Sequence, residues 1–411
     1  MLQHLLIIGT VFPEPASSAA GSRMMQLIAL FRSQQWKITF ASAASDSEFM
    51  TDLELAGVEK ARIELNSGSF DSFIKELDPS IVMFDRFMTE EQFGWRVAEH
   101  CPGALRMLDT EDLHSLRAAR QKALKENRGF KFADLLQEDV AKREAASILR
   151  SDLSLIISRV EMDVLQDHFK IDAALLHYVP FLLDPIAEEQ VNSWKSFEER
   201  QHFISIGNFL HEPNKDAVGY LKEVIWPLIR EKLPEAELHV YGAYPSQQVK
   251  EWHKPAEGFH LKGRAADAKE VIGAAKVMLA PLRFGAGLKG KLAEAMECGT
   301  PSVTTTIGAE AMHSDLDWNG VVEDDAKNIA AAAVNLYTDE ALWKEAQRNG
   351  IMVINNLYSA STHGAHLLER IAFLQNNLEQ HRKQNFIGAV LQHQTLMSTK
   401  YMAKWIEEKN K

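Results

Sequence analysis

The sequence predicts an α/β protein made of two doubly wound parallel sheets that face each other across a cleft, with helices at the carboxyl-terminal end. Three observations predict this fold class. Short apolar runs alternate with helical stretches, which is typical of parallel α/β units. The alternation restarts once, and a chain of 411 residues with 46% hydrophobic composition suits two or three domains with buried cores. The last part of the chain is polar and helical in period.

The first series of strand-like runs predicts an N-terminal Rossmann-like domain over residues 1–180. Its runs lie at residues 5–9, 36–42, 80–85, 104–109 and 153–158. A turn or a helical stretch follows each run, as in a sheet whose strands are joined by helices. Residues 179–201 hold two prolines and a charged stretch that interrupt the pattern, so residues 181–200 are predicted to form a linker.

The second series predicts another Rossmann-like domain over residues 201–356. Its strand-like runs lie at residues 203–207, 237–242, 259–263, 276–282 and 301–306. Residues 357–411 carry apolar residues at mixed i, i+3 and i+4 spacing, which predicts an amphipathic C-terminal helical segment. Packing of this segment back on the N-terminal domain is one arrangement open to it.

Composition and charge exclude several classes of protein. The net charge is 45 − 57 = −12, and this acidity argues against nucleic acid or an anionic membrane as the main partner. Cys101 and Cys298 offer neither a disulfide framework nor a thiolate zinc site, which fits a cytoplasmic location. We expect no transmembrane segment, and the apolar start resembles a buried strand more than a signal peptide. Peripheral membrane contact stays open.

The densest chemical signal lies in residues 276–312, which have the pattern strand, glycine-rich turn, helix, tight turn and strand. The turn contains a G-x-G-x-x-G pattern at Gly285, Gly287 and Gly290. Glycines there let the backbone approach a diphosphate, and the following helix offers free N–H groups and a partial positive charge. Fixed positive charge comes from Arg283, Lys289 and Lys291. The sequence therefore predicts a diphosphate site at this turn.

The same glycine pattern occurs in dinucleotide-binding domains, and Glu310 lies 20 residues after Gly290, where an acid for a ribose is expected. Two features weigh against an NAD-dependent oxidoreductase. The turn follows the fourth strand of its domain instead of the first, and Glu310 lies past a glycine beyond the strand end. Glu294 lies one helical turn after Gly290, so its carboxylate is expected to face the turn and accept two ribose hydroxyls. A solvated helix residue is the alternative.

The predicted first domain offers candidates for phosphate or acceptor contacts. Gly21 and Ser22 follow a polar loop and precede a helical stretch, so helix N–H groups there could face a phosphate or an acceptor. An ordinary capped helix is the alternative. Asp85 follows another strand-like run and is a further candidate, with a capping box over residues 89–92 as the competing explanation.

A cluster of acids and one imidazole follows the strand-like run at 104–109. It contains Asp109, Glu111, Asp112 and His114. We predict that His114 and Asp109 orient or deprotonate an acceptor hydroxyl. A divalent metal site is the alternative, but acidic residues also cap helices, and the prediction is that no metal is held.

At this point the residues carry a family resemblance. The segments 204–229, 233–242 and 279–305 resemble the donor-binding half of glycosyltransferases with the GT-B fold, and more narrowly the large retaining family 4. Segments 11–24 and 105–120 resemble the amino-terminal half of such enzymes more loosely. The resemblance implies a nucleotide-diphosphate-sugar donor bound mainly by the carboxyl-terminal domain and an acceptor held mainly by the amino-terminal domain.

The resemblance assigns donor contacts residue by residue. The second of the family's paired glutamates matches Glu294, expected on the ribose, but the first would fall at Ala286. Backbone N–H groups of residues 285–289, a G-x-G-L-K loop that includes Leu288, are expected to face the donor.

A second departure concerns the diphosphate. The family's arginine would fall at Asn208, directly after Gly207, and its lysine partner would fall near Pro213. Neutralisation of the leaving diphosphate is then expected from Lys289, with Arg283 and Lys291 nearby. Glu310 is expected to reach the sugar or nucleotide, with a surface acid as the alternative.

The residues and the resemblance together predict a metal-independent glycosyltransferase that moves a sugar from a nucleotide-diphosphate-sugar to an acceptor hydroxyl. The resemblance further implies retention of the anomeric configuration. No cofactor beyond this co-substrate is expected, and the acceptor is a glycan, a lipid-linked molecule or a protein. Two alternatives stay open. One is a catalytically inactive nucleotide-sugar binding protein, motivated by Ala286 and Asn208, and the other is an NAD-dependent oxidoreductase.

Overall fold

The computed structural model describes residues 3–393 together with Tyr401, Met402, Trp405 and Lys409. Apart from these four, residues 394–411 of the predicted C-terminal helical segment lie outside the described residues, as do Met1 and Leu2. Two parallel β-sheets, each covered by helices on both faces, form the molecule. The predicted α/β fold class is confirmed.

The first sheet has seven parallel strands in the order β3-β2-β1-β4-β5-β6-β7. They are β1 His4–Gly9, β2 Lys37–Ser42, β3 Glu59–Arg62, β4 Ile81–Asp85, β5 Leu105–Asp109, β6 Leu153–Ile156 and β7 Leu176–Tyr178. The central strands are continuous apolar runs because helices cover both faces of the sheet. Those helices are α1 Ala19–Ser33, α2 Ser69–Leu77, α3 Phe87–His100, α4 His114–Lys125, α5 Phe132–Leu135, α6 Asp139–Arg150 and α7 Arg159–Asp163.

The second sheet repeats this arrangement with six parallel strands in the order β10-β9-β8-β11-β12-β13. They are β8 Gln201–Ile206, β9 Leu238–Tyr241, β10 Phe259–Gly263, β11 Ala275–Ala280, β12 Ser302–Thr304 and β13 Gly320–Val322. The helices are α8 Glu188–Ser193, α9 Glu212–Tyr220, α10 Trp226–Lys232, α11 Gln247–Glu251, α12 Ala268–Ala274, α13 Gly290–Glu297, α14 Thr306–Ala309, α15 Ala326–Thr338 and α16 Glu340–Leu357. A single π-helical turn, Leu221–Ile225, joins α9 to α10.

The strand orders fix where a ligand can bind. In each sheet the chain direction of the connections reverses beside the first strand, between β1 and β4 in one domain and between β8 and β11 in the other. In open α/β sheets, ligands bind at the carboxyl ends of the strands next to such a reversal. The loops after these four strands are therefore the positions at which a site is expected.

Residues 181–200 are packed more tightly than a linker. Phe181, Leu183 and Ile186 are buried in the core of the second domain. Arg200 is buried as well, and it donates hydrogen bonds to the Thr300 hydroxyl at 2.6 Å and the Cys298 carbonyl at 2.9 Å. The prolines and charges that suggested a linker therefore belong to a segment that wraps the second domain.

The described part of the C-terminal helical segment crosses back to the first domain. It forms α17 Ala360–Asn376, α18 Leu378–Gln384 and α19 Phe386–Gln392. Leu367, Ile371 and Leu374 of α17 enter the core of the first domain. Arg382 of α18 pairs with the buried Asp152 at 2.7 Å. The apolar positions on these helices therefore form a cover for the first sheet.

Three strands were not predicted from the sequence, namely β3, β7 and β13. All three lie at sheet edges and are four residues or shorter. The β3 sequence, EKAR, has no apolar run because an edge strand is exposed to solvent on one side. The other two, LHY and GVV, have only three residues each, too short for a strand-length apolar run.

Two other expectations concern the environment of the chain. No helix in the described residues is long and apolar enough to cross a membrane. Cys101 and Cys298 are both buried and form no disulfide, and the expected cytoplasmic location stays a prediction.

Candidate functional site

A cavity of about 420 Å³ lies between the two domains. The loops after β1 and β5 line it from the first domain, and the loops after β8 and β11 line it from the second. Its volume falls within the range of sites that hold small molecules and cofactors. The cavity thus lies at the carboxyl ends of both sheets, where the reversal of the connections places ligands.

Two helix N-termini meet at this cavity. Ala19 begins α1 and Gly290 begins α13, and a Cβ atom added to Gly290 would lie 2.6 Å from the Cβ of Ala19. Only glycine permits this approach. The N–H groups of a first helical turn have no partner within the helix and carry a partial positive charge. Two such ends from different domains therefore border the same cavity, although the Gly21 N–H of α1 already donates to the Ser18 hydroxyl.

Two lysines supply full positive charges beside these helix ends. The Lys291 Nζ donates to the Asn214 side-chain oxygen at 2.7 Å and lies 2.6 Å from where a Cβ of Gly207 would be. The Lys289 side chain is only 8% exposed, and its Nζ donates to the Gly287 carbonyl at 2.8 Å. Burial lowers the pKa of both lysines to about 8. An anion in the cavity would favour their charged form.

Gly207 and Asn208, which are predicted to contact the donor, follow β8 and line the cavity. The missing arginine and lysine of the family pattern are partly offset here, because Lys291 reaches the same glycine from α13. Asn214, on α9, was not predicted as a site residue. Asn214 belongs to no recognisable motif, so there was no reason in the sequence to select it.

Glu294 lies in the second turn of α13 and lines the cavity. Burial raises the pKa of its carboxyl to about 7. Within residues 3–393 we find no protein donor within hydrogen-bond distance of this carboxylate. A half-buried acid without a protein partner is suited to accept hydrogen bonds from a ligand.

The rest of the glycine-rich loop divides into lining and buried residues. Gly285, Ala286 and Leu288 line the cavity. Ala286 also packs against the apolar core of the first domain. A glutamate at this position could not direct its carboxylate into that core and would have to take a different direction. Gly287 lies beneath the surface with φ +62°, a conformation that favours glycine.

His114 begins α4 and lines the cavity from the first domain. Its ring stands edge-on to the Phe87 ring, with 5.5 Å between centroids, and its Nε2 lies 3.4 Å from an Asp112 oxygen. Burial lowers the pKa of His114 to about 4, so the imidazole is neutral at pH 7. Its backbone N–H donates to Glu144 at 2.7 Å. A neutral imidazole held in this way can accept a proton or a hydrogen bond from a hydroxyl.

Further charged groups line the same cavity. Arg117 lies one helical turn after His114 and pairs with Asp112. The structure also places Arg86, His211 and Arg264 in the lining. Arg117 shares a helix face with His114 at i, i+3 spacing, and this spacing was the available signal for it. His211 and Arg264 come from the second domain and carry no local motif.

The prediction for Asp109 is corrected by the structure. Asp109 and Asp85 are paired neighbours at the ends of β5 and β4. The Asp109 carboxylate is 0% exposed and pairs with Arg23 of α1, whose Nη2 lies 2.9 Å away. It does not line the cavity. The sequence showed an acid at a strand end, but a buried arginine 86 residues earlier takes both of its oxygens.

Asp85 is likewise buried, and one of its oxygens has no hydrogen-bond partner. Burial, together with the neighbouring Asp109 carboxylate, raises the pKa of Asp85. Asp85 does not line the cavity, although the next residue, Arg86, does. At the end of β4, the residue that lines the cavity is therefore Arg86 and not the predicted Asp85.

The predicted phosphate loop of the first domain is displaced by one helical turn. Helix α1 begins at Ala19, with Ser18 as its N-cap, so Gly21 and Ser22 lie inside the first turn. A Cβ atom on Gly21 would lie 2.5 Å from the Glu14 backbone, which places Gly21 against the preceding loop. Residues 15–20 line the cavity instead. The error arose because α1 begins within the Pro-, Ser- and Ala-rich stretch that we interpreted as a loop.

Arg283 and Glu310 also lie outside the cavity lining. Arg283 is exposed and pairs with Asp216, Nε to oxygen 2.9 Å. Glu310 accepts two hydrogen bonds from Arg120, at 2.8 and 2.7 Å, so its carboxylate joins the two domains. Glu310, the acid that a dinucleotide-binding protein would use for the ribose, is therefore already paired with Arg120.

Among the described residues, no group of three or more His, Cys, Asp or Glu side chains is arranged to hold a metal ion. The expected independence of metal stays a prediction. The titratable side chains that line the cavity are mainly cationic or neutral around the helix ends, and acidic beside His114.

The comparisons with known proteins agree with this geometry. Residues 200–339 match the family model described as glycosyl transferases group 1. Among curated proteins, none matches the chain in sequence. The chain is similar in structure to a sucrose-phosphate synthase from Thermosynechococcus elongatus, with TM-score 0.64 and 16% identity over 90% of this chain and 99% of that one.

Two other solved structures have the same architecture. Anabaena HepE in complex with UDP and glucose gives TM-score 0.66 at 13% identity, covering 90% of this chain and 100% of that one. WaaG, a glycosyltransferase involved in lipopolysaccharide biosynthesis, gives TM-score 0.59 at 14% identity, covering 89% and 98%. At these identities the likeness shows the shared two-domain fold.

Residues 200–339, most of the second domain, match the group 1 glycosyl transferase model, and the chain as a whole has the two-domain fold of the compared structures. These findings confirm the resemblance stated from the sequence. The glycine-rich loop and α13 lie within the matched residues.

Proposed function

We propose that this protein transfers a glycosyl group from a nucleotide-diphosphate-sugar to an acceptor hydroxyl, with retention of anomeric configuration and without a metal ion. The observation that carries the proposal is the convergence of two helix N-termini, Lys289 and Lys291 on one cavity between the domains. A diphosphate is the ligand group that such a set of donors and charges suits best.

The leaving diphosphate is stabilised by groups that are already in place. The first turn of α13 and the Lys291 ammonium face the position beside Gly207, where negative charge grows as the glycosidic bond breaks. Donors fixed in a partly dehydrated site stabilise such charge without reorganising during the reaction. These groups would neutralise the charge of the diphosphate, which in other enzymes a metal ion does, and this supports a metal-independent reaction.

The remaining parts of the donor and the acceptor are assigned from the lining residues. Glu294 accepts hydrogen bonds from ribose hydroxyls, and its distance from the loop along α13 suits this role. His114, neutral and flanked by Asp112, orients the acceptor hydroxyl toward the anomeric carbon. Closure of both domains around the substrates excludes water that would otherwise hydrolyse the donor.

The solved relatives suggest which donor to try first. HepE is described in complex with UDP and with UDP-glucose, and TarM in complex with UDP and a glycosylated glycerol. These names support a UDP-sugar as donor and a hydroxyl-bearing glycan or lipid-linked molecule as acceptor. Retention rests on the family resemblance, and a cytoplasmic location rests on the two unpaired cysteines.

The function is tested by incubating the protein with UDP-, GDP- and ADP-sugars and a panel of oligosaccharide and glycolipid acceptors. Release of the nucleoside diphosphate together with an acceptor heavier by one sugar is the expected result. NMR of the product reports the anomeric configuration, and chelator treatment reports metal dependence. Donor binding without transfer or hydrolysis would instead support the inactive alternative, which Ala286 and Asn208 motivate.

At pH 8, where the Glu294 carboxyl with its pKa of about 7 is mainly ionised, replacing Glu294 by Gln is expected to raise the donor KM by about 10- to 100-fold, because a hydrogen bond to a charged group contributes roughly 1.5–3 kcal/mol. Glu297, one turn further along α13, pairs with Lys269 outside the cavity and provides a matched control. Initial rates at varied donor concentration give both KM values. Equal KM values for Glu294→Gln and Glu297→Gln would remove Glu294 from the ribose.

Diphosphate affinity is expected to fall as the pH rises. The pKa of Lys289 and that of Lys291 are lowered to about 8 in the free protein, so both ammonium groups lose their charge as the pH passes from 7 to 9. Each charge lost by pH 9 weakens binding by about tenfold, following the protonated fraction of that lysine. Calorimetric titration with a nucleoside diphosphate at several pH values measures this, and a constant dissociation constant would contradict it.

A further inference from the structure

A buried glutamate joins the loops of the two domains at the cavity. Glu161 lies on α7, directly after β6 of the first domain, and is 1% exposed. Its Oε1 accepts the backbone N–H of Leu113 at 2.8 Å and the backbone N–H of Gly287 at 2.8 Å. One carboxyl oxygen therefore holds the segment that carries Asp112 and His114 against the glycine-rich loop.

The packing around Gly287 makes this contact necessary. A Cβ atom on Gly287 would lie 2.9 Å from the Asp112 Cβ and 3.4 Å from an Ile157 side-chain carbon. The loops are thus in direct contact, and Gly287 is buried between them. A buried N–H without a partner is destabilising, so removal of the Glu161 oxygen would favour separation of the two loops.

Another contact between the domains flanks this one. Arg120 of α4 donates to the Gly285 carbonyl at 2.8 Å and pairs with Glu310. Arg120 therefore restrains the start of the glycine-rich loop, and Glu161 restrains its middle. The two contacts act on different backbone groups, so the domains can stay together when the Glu161 contact alone is lost.

We propose that Glu161 is a positioning residue for glycosyl transfer, which fixes the glycine-rich loop of the second domain relative to the His114 segment of the first. It does not line the cavity and touches neither substrate position. Its effect is on alignment, since donor and acceptor are held by the two loops that it joins. Misplacement by about 1 Å can cost about 100-fold in rate. This inference rests on the proposed function only for its kinetic consequence.

The form of the carboxyl group suggests a conservative replacement. Burial raises the pKa of Glu161 to about 8, so the group is mainly a neutral acid at pH 7. The Oε2 atom is buried and has no hydrogen-bond partner. Glutamine has the same shape and keeps a carbonyl oxygen at Oε1, so it can accept both N–H groups. Alanine removes the acceptor, and aspartate draws it back by one methylene.

Hydrogen exchange on the free protein tests the contact without any substrate. The Gly287 amide is expected to exchange at least about tenfold faster in Glu161→Ala and Glu161→Asp than in wild type, because loss of a hydrogen bond worth about 1.4 kcal/mol gives this factor. Glu161→Gln should match wild type. Glu144→Ala is the matched control, because Glu144 is also buried and accepts two N–H groups, both within the first domain. Unchanged exchange at Gly287 in the alanine and aspartate variants would overturn the proposal.

Kinetics then test the positioning role. Glu161→Ala and Glu161→Asp are expected to lower kcat by about 30- to 100-fold. Their dissociation constants for nucleoside diphosphate should stay within about threefold, and Glu161→Gln should recover kcat. A kcat for Glu161→Ala equal to that of wild type would overturn the positioning role. Absence of transfer in the wild-type protein would instead refute the proposed function, and the exchange result would still decide the contact.

Discussion

Replacing Lys291 by Met is expected to lower kcat/KM for the nucleotide-sugar by about 100- to 1000-fold, the loss typical of removing one preorganised donor to developing charge. The Nζ of Lys291 lies beside Gly207 and Asn214, at the cavity end that we assign to the diphosphate. Methionine keeps an unbranched chain as far as the Cε position and removes the charged Nζ. Steady-state kinetics with saturating acceptor measures the effect.

Arg283 provides the matched control for this variant. It lies only eight residues before Lys291, but its guanidinium is exposed and pairs with Asp216 outside the cavity. Arg283→Met removes the same charge from the same segment and is expected to change kcat/KM by less than about twofold, as for a surface ion pair. Equal losses in the two variants would mean that overall charge, and not a specific contact, governs the reaction.

Replacing Arg23 by Met is expected to lower the free energy of unfolding by about 3–5 kcal/mol, because it leaves the buried Asp109 carboxylate without its partner. Arg23 also donates to the Val179 and Pro180 carbonyls, at 2.7 and 3.1 Å, and these groups lose their hydrogen bonds as well. Urea denaturation followed by circular dichroism gives the difference.

Two further variants separate the buried pair from general effects. Lys142→Met breaks the exposed pair with Asp139 in the same domain and is expected to leave the unfolding midpoint unchanged. Arg23→Met combined with Asp109→Leu removes both buried charges and should recover part of the loss. A midpoint for Arg23→Met equal to that of wild type would show that Asp109 is stable without the arginine, and would return it to consideration as a site residue.

The architecture could be predicted because its signals are local. Each central strand is a continuous apolar run bounded by a turn, and a strand covered on both faces must have this composition. The glycine-rich loop was predictable for a similar reason. The strand, the glycines and the following helix are contiguous, so position 294 could be placed one helical turn from the loop without tertiary information.

The direction of a charged side chain was not predictable in this way. Asp109 ends β5 and His114 lies five residues further on. The Asp109 side chain is buried against Arg23, whereas His114 lines the cavity. The difference depends on a residue of α1 that is remote in sequence. Arg283 and Lys291 differ likewise, because a nearby Asp216 pairs with the first.

Groups that act across the domain interface left no signal in the sequence. Glu161 follows a strand in the first domain, and Gly287 is far from it along the chain, so only the packed structure reveals their hydrogen bond. His211 and Asn214 are single residues near the start of α9 and contribute through the approach of the second domain. Such positions are defined by the arrangement of the two domains and not by a motif.

The most direct test of the account is the dissociation constant for nucleoside diphosphates, measured by calorimetry at pH 7 on wild type, Lys291→Met and Arg283→Met. We expect one of UDP, GDP or ADP to bind the wild type, with affinity weakened about 30-fold or more in Lys291→Met, as for loss of a charged hydrogen bond, and unchanged in Arg283→Met. Absence of binding by all three, or equal affinity in wild type and Lys291→Met, would contradict the assignment of the cavity as the donor site.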